Sequence, residues 1–276
     1  MKKKSVISLI SYDAAYLPES ISKYYNYVDE IILGVDKNRT TWSGNSFSFD
    51  ENKLWKELGA IDGDSKISIV EEDFVKSKTA IENDNYERNF LKSQCTNDWI
   101  FSIDADEYLV NAKDFFYNYC PLVERYYNKV DICMTWATPY KTIDDTTLVI
   151  ANEDGTPFFG ENQGMTTSKD STFTYARWTD KSAAGGNRLM SPLVAIHWSL
   201  CRNKEDLYEK INNIGHSDLV ENDPFYQIWN QVTLDNYHEL HNFKSSGLGT
   251  AQWPILRAVD NNAVTNYIEQ HLDRAY

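Results

Sequence analysis

Over its first ~110 residues the chain alternates apolar, β-branched runs with stretches of helical periodicity four times, a pattern that few folds accommodate. Ser5–Ser11 (SVISLIS) reads as a buried strand, and Leu17, Ile21, Tyr24, Tyr25 and Val28 then recur at helical spacing with Pro18 in the first turn. Glu30–Val35 (EIILGV) is a second strand, ending at Asp36 before a polar, turn-rich loop over Asp36–Phe49. Asp50 caps a short helix that buries Leu54, Trp55 and Leu58, and Lys66–Val70 makes a third strand. Thr79 with Glu82 forms a capping box for a helix through about Cys95. Trp99–Ile103 (WIFSI) is the fourth strand and runs into Asp104-Ala105-Asp106-Glu107. Right-handed crossovers put the C-terminal ends of such strands on one edge of a mostly parallel sheet flanked by helices. Ser11, Asp13, Asp36 and Asp104–Glu107 then gather where open α/β sheets place ligands.

The second half is less regular. Val130–Trp136 reads as a strand, Thr146–Ala151 and Thr156–Phe159 as a hairpin about Asn152–Gly155, and Leu193–His197 as a further apolar strand. Gly160–Ser171 has few apolar anchors and is expected to be a mobile loop. From Asn203 onward the pattern is helical, with a last helix near Ala258–Leu272. The expected organisation is a catalytic domain over 1–200 with a helical C-terminal extension over 201–276 packed on it.

Lys and Arg total 27 against 41 Asp and Glu, a net charge of -14 that disfavours a phosphate-backbone partner. Cys95, Cys120, Cys133 and Cys201 show no metal or dithiol spacing, which suggests a reducing compartment. No run of sequence approaches transmembrane length, and Val6–Ile10 is too short for a signal-peptide core, so a cytoplasmic location is expected.

Chemistry concentrates at Asp104 and Asp106. Two carboxylates one residue apart at a strand end repel unless positive charge lies beside them. A hard divalent ion, Mn²⁺ or Mg²⁺, supplies it and bridges to a diphosphate, stabilising the charge on a departing nucleoside diphosphate. Asp106 is the expected direct ligand, with Asp104 acting through water or on the donor ribose and Glu107 as a structural hydrogen bonder. Asn85, Arg88 and Asn89 share a helix face, so Arg88 either holds a diphosphate or pairs with an acid such as Asp104. Lys210 and His216, in and just after a helix beyond His197, either close over phosphate or form a solvated face.

Trp99–Tyr108 resembles the Asp-x-Asp strand of GT-A fold glycosyltransferases, especially the inverting family two. Ser5–Ser11 with Tyr12-Asp13 is similar to that family's first strand, where the donor base docks. Glu87-Arg88-Asn89 resembles the Arg-Asn pair ahead of its metal strand, and His197-Trp198 its downstream metal-ligating His. The resemblance implies a GT-A, Rossmann-like fold and transfer of a hexosyl or pentosyl group from a nucleotide sugar, a UDP-sugar first. The acceptor hydroxyl would sit on a glycan, lipid carrier, protein or modified nucleobase. It also implies Asp104, Asp106 and His197 as metal ligands, and Ser11, Asp13 and Asp36 around base and ribose. His197 reads equally as a core histidine, and Asp13 and Asp36 as turn formers. The family's Glu-Asp pair before a helix has no clean counterpart, since Glu153-Asp154 lies in the expected hairpin turn. An inverting enzyme needs a carboxylate base, and Glu161 is the candidate, ahead of Glu153, Asp154 and Asp145.

Other readings fit less well. A haloacid-dehalogenase phosphatase carries Asp-x-Asp after its first strand, with Thr or Val where Tyr108 stands. A sugar-phosphate nucleotidyltransferase would have a Gly-rich basic loop in place of Ser11–Tyr16. His238-Glu-Leu-His241 lacks zincin spacing. An inactive GT-A-like protein or an aromatic-rich carbohydrate-binding protein is the non-catalytic alternative.

Overall fold

The computed structural model describes residues 2–127, 130–180, 188–215, 217, 222–244 and 252–275, with the backbone alone for 161, 222–224 and 244. The first half follows the expected alternation. It runs β1 (Lys4–Ile10), α1 (Leu17–Tyr24), β2 (Glu30–Asp36), α2 (Glu51–Ile61), β3 (Ile67–Glu72), α3 (Ala80–Gln94) and β4 (Trp99–Ser102). Pro18 sits in the first turn of α1, and the Asp50 side chain accepts from the Lys53 amide at 3.0 Å. The capping box at α3 does not form. Thr79 occupies the N-cap position but makes no side-chain cap bond, and Asn83 Oδ1 accepts the Lys76 and Ser77 amides just ahead of it.

Then come β5 (Glu107–Leu109), α4 (Cys120–Tyr126), β6 (Asp131–Ala137), β7 (Pro139–Ile143), β8 (Thr146–Ala151) and β9 (Glu161–Ser168). β10 (Phe173–Tyr175) and β11 (Trp178–Thr179) pair in a small hairpin ahead of β12 (Arg188–His197). The main sheet has the order β3-β2-β1-β4-β9-β6-β12-β5. β3, β2, β1 and β4 are mutually parallel, as are β6 and β12, while β9 and β5 run antiparallel to their neighbours. The sheet is therefore mixed and mostly parallel. β1 is buried on both faces: Val6 and Ile10 join the core under α1 and α2, Ile7 and Leu9 the core under α3.

β9 corrects the expectation of a mobile loop at 160–171. Its composition is polar, yet Met165, Thr166 and Thr167 are buried because β4 and β6 pair with it on either side. Gly164 admits the hairpin backbone, since a Cβ there would stand 2.7 Å from the Arg177 carbonyl. The expected hairpin at 146–159 is reduced to an isolated Ala151–Pro157 bridge, and β8 pairs with β7 instead.

The C-terminal part is only partly helical. It comprises α5 (Lys204–Asn213), α6 (Asn222–Gln231), β13 (His241–Lys244), β14 (Gln252–Asp260) and α7 (Val264–Glu269). β14 pairs with β8, completing a four-stranded antiparallel sheet of order β13-β14-β8-β7. A second core joins Tyr140, Leu148 and Ile150 to Leu207, Trp229 and Trp253. No helix among the described residues is long and apolar enough to cross a membrane.

Candidate active site

A cavity of about 650 Å³ opens at the C-terminal edge of β1, β2 and β4. That is within the usual range for a small-molecule site. Ser11, Asp13, Asp36, Arg88, Asp104, His197 and Lys210 all line it. Asp106 lies behind this wall, with no exposed surface. The backbone of Glu161 lies at the start of β9, opposite Trp136, and its side chain lies outside the described residues, as does His216.

Asp104 and Asp106 are held by different partners. The β4 backbone continues through Ile103, whose amide donates to the Ile7 carbonyl, and the chain then turns, the Glu107 amide donating to the Asp104 carbonyl. Asp104 Oδ1 accepts from Arg88 Nη1 at 3.0 Å. Arg88 also donates to Asp84 Oδ1 and Ser102 Oγ, each at 2.6 Å. Burial pushes the Asp104 carboxyl up, but Arg88 and then Arg177 outweigh it and hold it down at about 2. Of the two sequence-level roles for Arg88, pairing with Asp104 is therefore present.

Asp106 Oδ2 accepts from Arg202 Nη2 at 2.7 Å and Lys210 Nζ at 2.9 Å. Both cations also reach Asp13 Oδ2, each at 3.3 Å. Burial raises the Asp106 carboxyl, and Lys210 and Arg202 override it, leaving the group far below the usual carboxylate range. Its other oxygen, Oδ1, is buried and accepts no hydrogen bond from the described residues.

His197 Nε2 stands 3.8 Å from that oxygen, beyond hydrogen-bond reach. His197 ends β12 opposite Glu107, and the next amide, Trp198, donates to the Asp106 carbonyl. Its ring stacks on Trp136 with centroids 3.8 Å apart. Burial lowers the imidazole to about 3, so it is neutral at physiological pH and its contact with Asp106 is no ion pair.

Glu107 frames the site. Its carboxylate accepts from Arg177 Nη1 and Nη2 at 2.8 and 2.7 Å, from Trp136 Nε1 at 2.7 Å and from the Asp104 amide at 2.9 Å. Arg177 reaches it from the β10–β11 hairpin, just past Ala176, which has a φ of 49°. Asp36 is a turn former, accepting the Asn38, Thr40 and Phe74 amides at 2.9, 3.1 and 2.9 Å. The loop after it is tied to the end of α5 by Thr41 Oγ1 donating to Asn213 Oδ1 at 2.6 Å. Gly215 completes that wall against Asp84, where a Cβ would stand 2.6 Å from the carboxylate.

Sequence reading missed Arg202, Arg177, Trp136, Asp84 and Glu87. Trp136 and Glu87 carried the only local signals, as the polar-edged ring ending an apolar strand and as the residue next to Arg88 on its helix.

No protein-family model matches the chain, and no curated protein matches it. Among solved structures it is similar to S. aureus TarS 1-349, at 13% identity over 49% of this chain and 36% of that one, with a TM-score of 0.35. The mannosyltransferase PcManGT from Pyrobaculum calidifontis, in complex with GDP-Man and Mn²⁺, matches at 14% identity over 49% and 35%, TM-score 0.35. A mycobacterial protein matches over 95% of this chain and 87% of its own, at 11% identity and a TM-score of 0.43. The chain thus spans about a third of the length of the first two. Likenesses this slight say nothing about the chemistry of the cavity, which rests on its own residues.

Proposed function

We propose that this chain is a metal-dependent glycosyltransferase that moves a hexosyl or pentosyl group from a nucleoside diphosphate sugar, a UDP-sugar first, to an acceptor hydroxyl on a glycan, lipid carrier, protein or modified nucleobase. One observation carries the reading. Asp106 is buried behind the wall of a cavity of about 650 Å³, with one oxygen held by two cations and the other without a donor among the described residues. A buried carboxylate oxygen in that state is costly unless a ligand completes it.

The donor set fits a divalent cation. Asp106 Oδ1 and the neutral His197 Nε2 offer two lone pairs 3.8 Å apart. No group of three or more His, Cys, Asp or Glu among the described residues would enclose an ion. Mg²⁺ and Mn²⁺ suit such a site, because they retain waters and take further oxygens from substrate phosphates. Bound there, the ion would act as a Lewis acid on the leaving diphosphate. Asp104, whose amide bonds Glu107 and whose carboxylate bonds Arg88, lines the cavity and is the residue proposed to hold the donor ribose or to act on the ion through water.

Lys210 lines the cavity and Arg202 lies behind it, both on Asp106 Oδ2, and a diphosphate bound there would have two positive groups within reach to stabilise charge that develops as the bond to the sugar breaks. Ser11 and Asp13, just past the end of β1, line the cavity and are the proposed contacts for the donor nucleoside. Glu161 is the proposed base for the acceptor hydroxyl.

Hydrolysis of UDP- and GDP-sugars provides the test. EDTA should abolish release of the nucleoside diphosphate, and Mn²⁺ or Mg²⁺ should restore it. Full turnover in chelator overturns the metal role, and no turnover of any donor with Mn²⁺ overturns the transferase reading.

A further inference from the structure

The cations on Asp106 bear on how a divalent ion enters. At and behind the cavity wall, the five carboxylates of Asp13, Asp84, Asp104, Asp106 and Glu107 are ion-paired with the four cations Arg88, Arg177, Arg202 and Lys210. This paired network comes within one charge of balance before any ligand arrives. Arg202 and Lys210 are the two that touch Asp106, and they do so on Oδ2 alone, at 2.7 and 2.9 Å. A divalent ion on Oδ1 would share one carboxylate with an ammonium and a guanidinium in a water-poor setting, where like charges repel strongly. A bare diphosphate would meet Asp13 and Asp104 with the same result. Arriving together, ion and diphosphate cancel most of each other's charge, and Lys210 can turn from carboxylate to phosphate oxygen. It is the freer of the two cations, at 13% side-chain exposure against 1% for Arg202.

We propose that Lys210 and Arg202 are a built-in counter-ion for Asp106 that makes metal and diphosphate uptake mutually dependent, the ion binding weakly until the diphosphate draws these cations off the carboxylate. The inference rests on the proposed function, and it concerns two residues whose effect on metal affinity has a sign opposite to that of a ligand.

Binding of Mn²⁺ to the full-length chain can be followed by the loss of its free electron paramagnetic resonance signal, with and without UDP or GDP. In the wild type the nucleotide should tighten Mn²⁺ at least ~5-fold, and Mn²⁺ should tighten the nucleotide by the same factor. Lys210→Met should tighten Mn²⁺ alone by ~5-fold or more while weakening UDP or GDP alone. Lys210→Gln serves as the near-isosteric second variant, with the same expectation. The inference is overturned if both variants leave the affinity for Mn²⁺ alone unchanged or lower, or if the wild type binds Mn²⁺ equally well with and without a nucleotide that it does bind. If neither UDP nor GDP binds with or without Mn²⁺, the proposed function itself falls and takes the inference with it.

Discussion

Asp106 and Glu107 are neighbours in sequence and equally buried, each without exposed surface, yet their carboxylates meet different surroundings. Glu107 is sealed: both oxygens are taken, by a two-pronged Arg177, an indole N–H and a backbone amide. Asp106 is half-satisfied: Lys210 and Arg202 crowd one oxygen, and the other faces a neutral histidine it does not bond. A fully bonded buried ion pair fixes geometry. Here it sets the Asp104 amide and the Trp136 ring on which His197 stacks. An incomplete one is a place where a ligand gains free energy by completing it. The chain places frame and working group on adjacent residues, Asp106 in the turn after β4 and Glu107 opening β5.

The comparison breaks first at the frame. Glu107→Ala strands the Arg177 guanidinium in the interior and should cost about 3–5 kcal/mol of stability, read from urea denaturation. A loss below about 1 kcal/mol would mean that Arg177 finds another partner and that the pair is no frame. Asp106→Asn tests the other side. It keeps the shape but weakens an oxygen donor, and turnover should fall by roughly a hundredfold or more, about 3 kcal/mol, with a smaller loss from Asp104→Asn. Near-normal turnover in a folded Asp106→Asn protein would remove Asp106 from the chemistry.

These neighbours also show what sequence can and cannot carry. Asp104, Asp106 and the strand before them were legible because their chemistry and their place at a strand end are local properties. The strand ending at His197 was legible on the same ground. Of the cations on Asp106, Lys210 was singled out beyond His197 but not its contact with Asp106, and Arg202 was not singled out at all. Arg202 lies 96 residues and Lys210 104 residues from Asp106, and Arg177 lies 70 from Glu107, so no spacing rule links them. β9 was misread because burial of its threonines comes from flanking strands distant in sequence. β14 was misread because its apolar residues serve two cores rather than one face.

His197 joins the two regions, stacking on the frame and facing the open oxygen. His197→Ala should therefore do two things at once. Losing the stack costs about 1–3 kcal/mol of stability, and losing a nitrogen donor raises the Mn²⁺ concentration needed for half-maximal turnover. A loss of stability with an unchanged Mn²⁺ requirement would assign His197 to the frame alone.

The smallest expected effect lies at the cavity's rim, where Glu87 sharpens the distinction between sealed and open acids. It is buried, and its carboxylate accepts from Trp42 Nε1 at 2.7 Å. It is also wedged against β2, so that a Cβ on Gly34 would stand 2.8 Å from its Oε1. Burial pushes its carboxyl up to about 8, with the Trp42 hydrogen bond opposing. The folded-state value thus lies above the unfolded value of about 4.3. For an acid shifted in this direction, the folded state binds the extra proton. The stabilisation is complete below pH ~4.3 and is lost as pH rises through about 8. Wild-type stability in urea should accordingly fall by on the order of 1 kcal/mol between about pH 5 and 8. Glu87→Gln keeps the acceptor for Trp42 but cannot ionise, so its curve should be flatter over the same range. A slope identical in the two proteins would show that Glu87 ionises as freely folded as unfolded, and would place it with the open acids rather than the sealed ones.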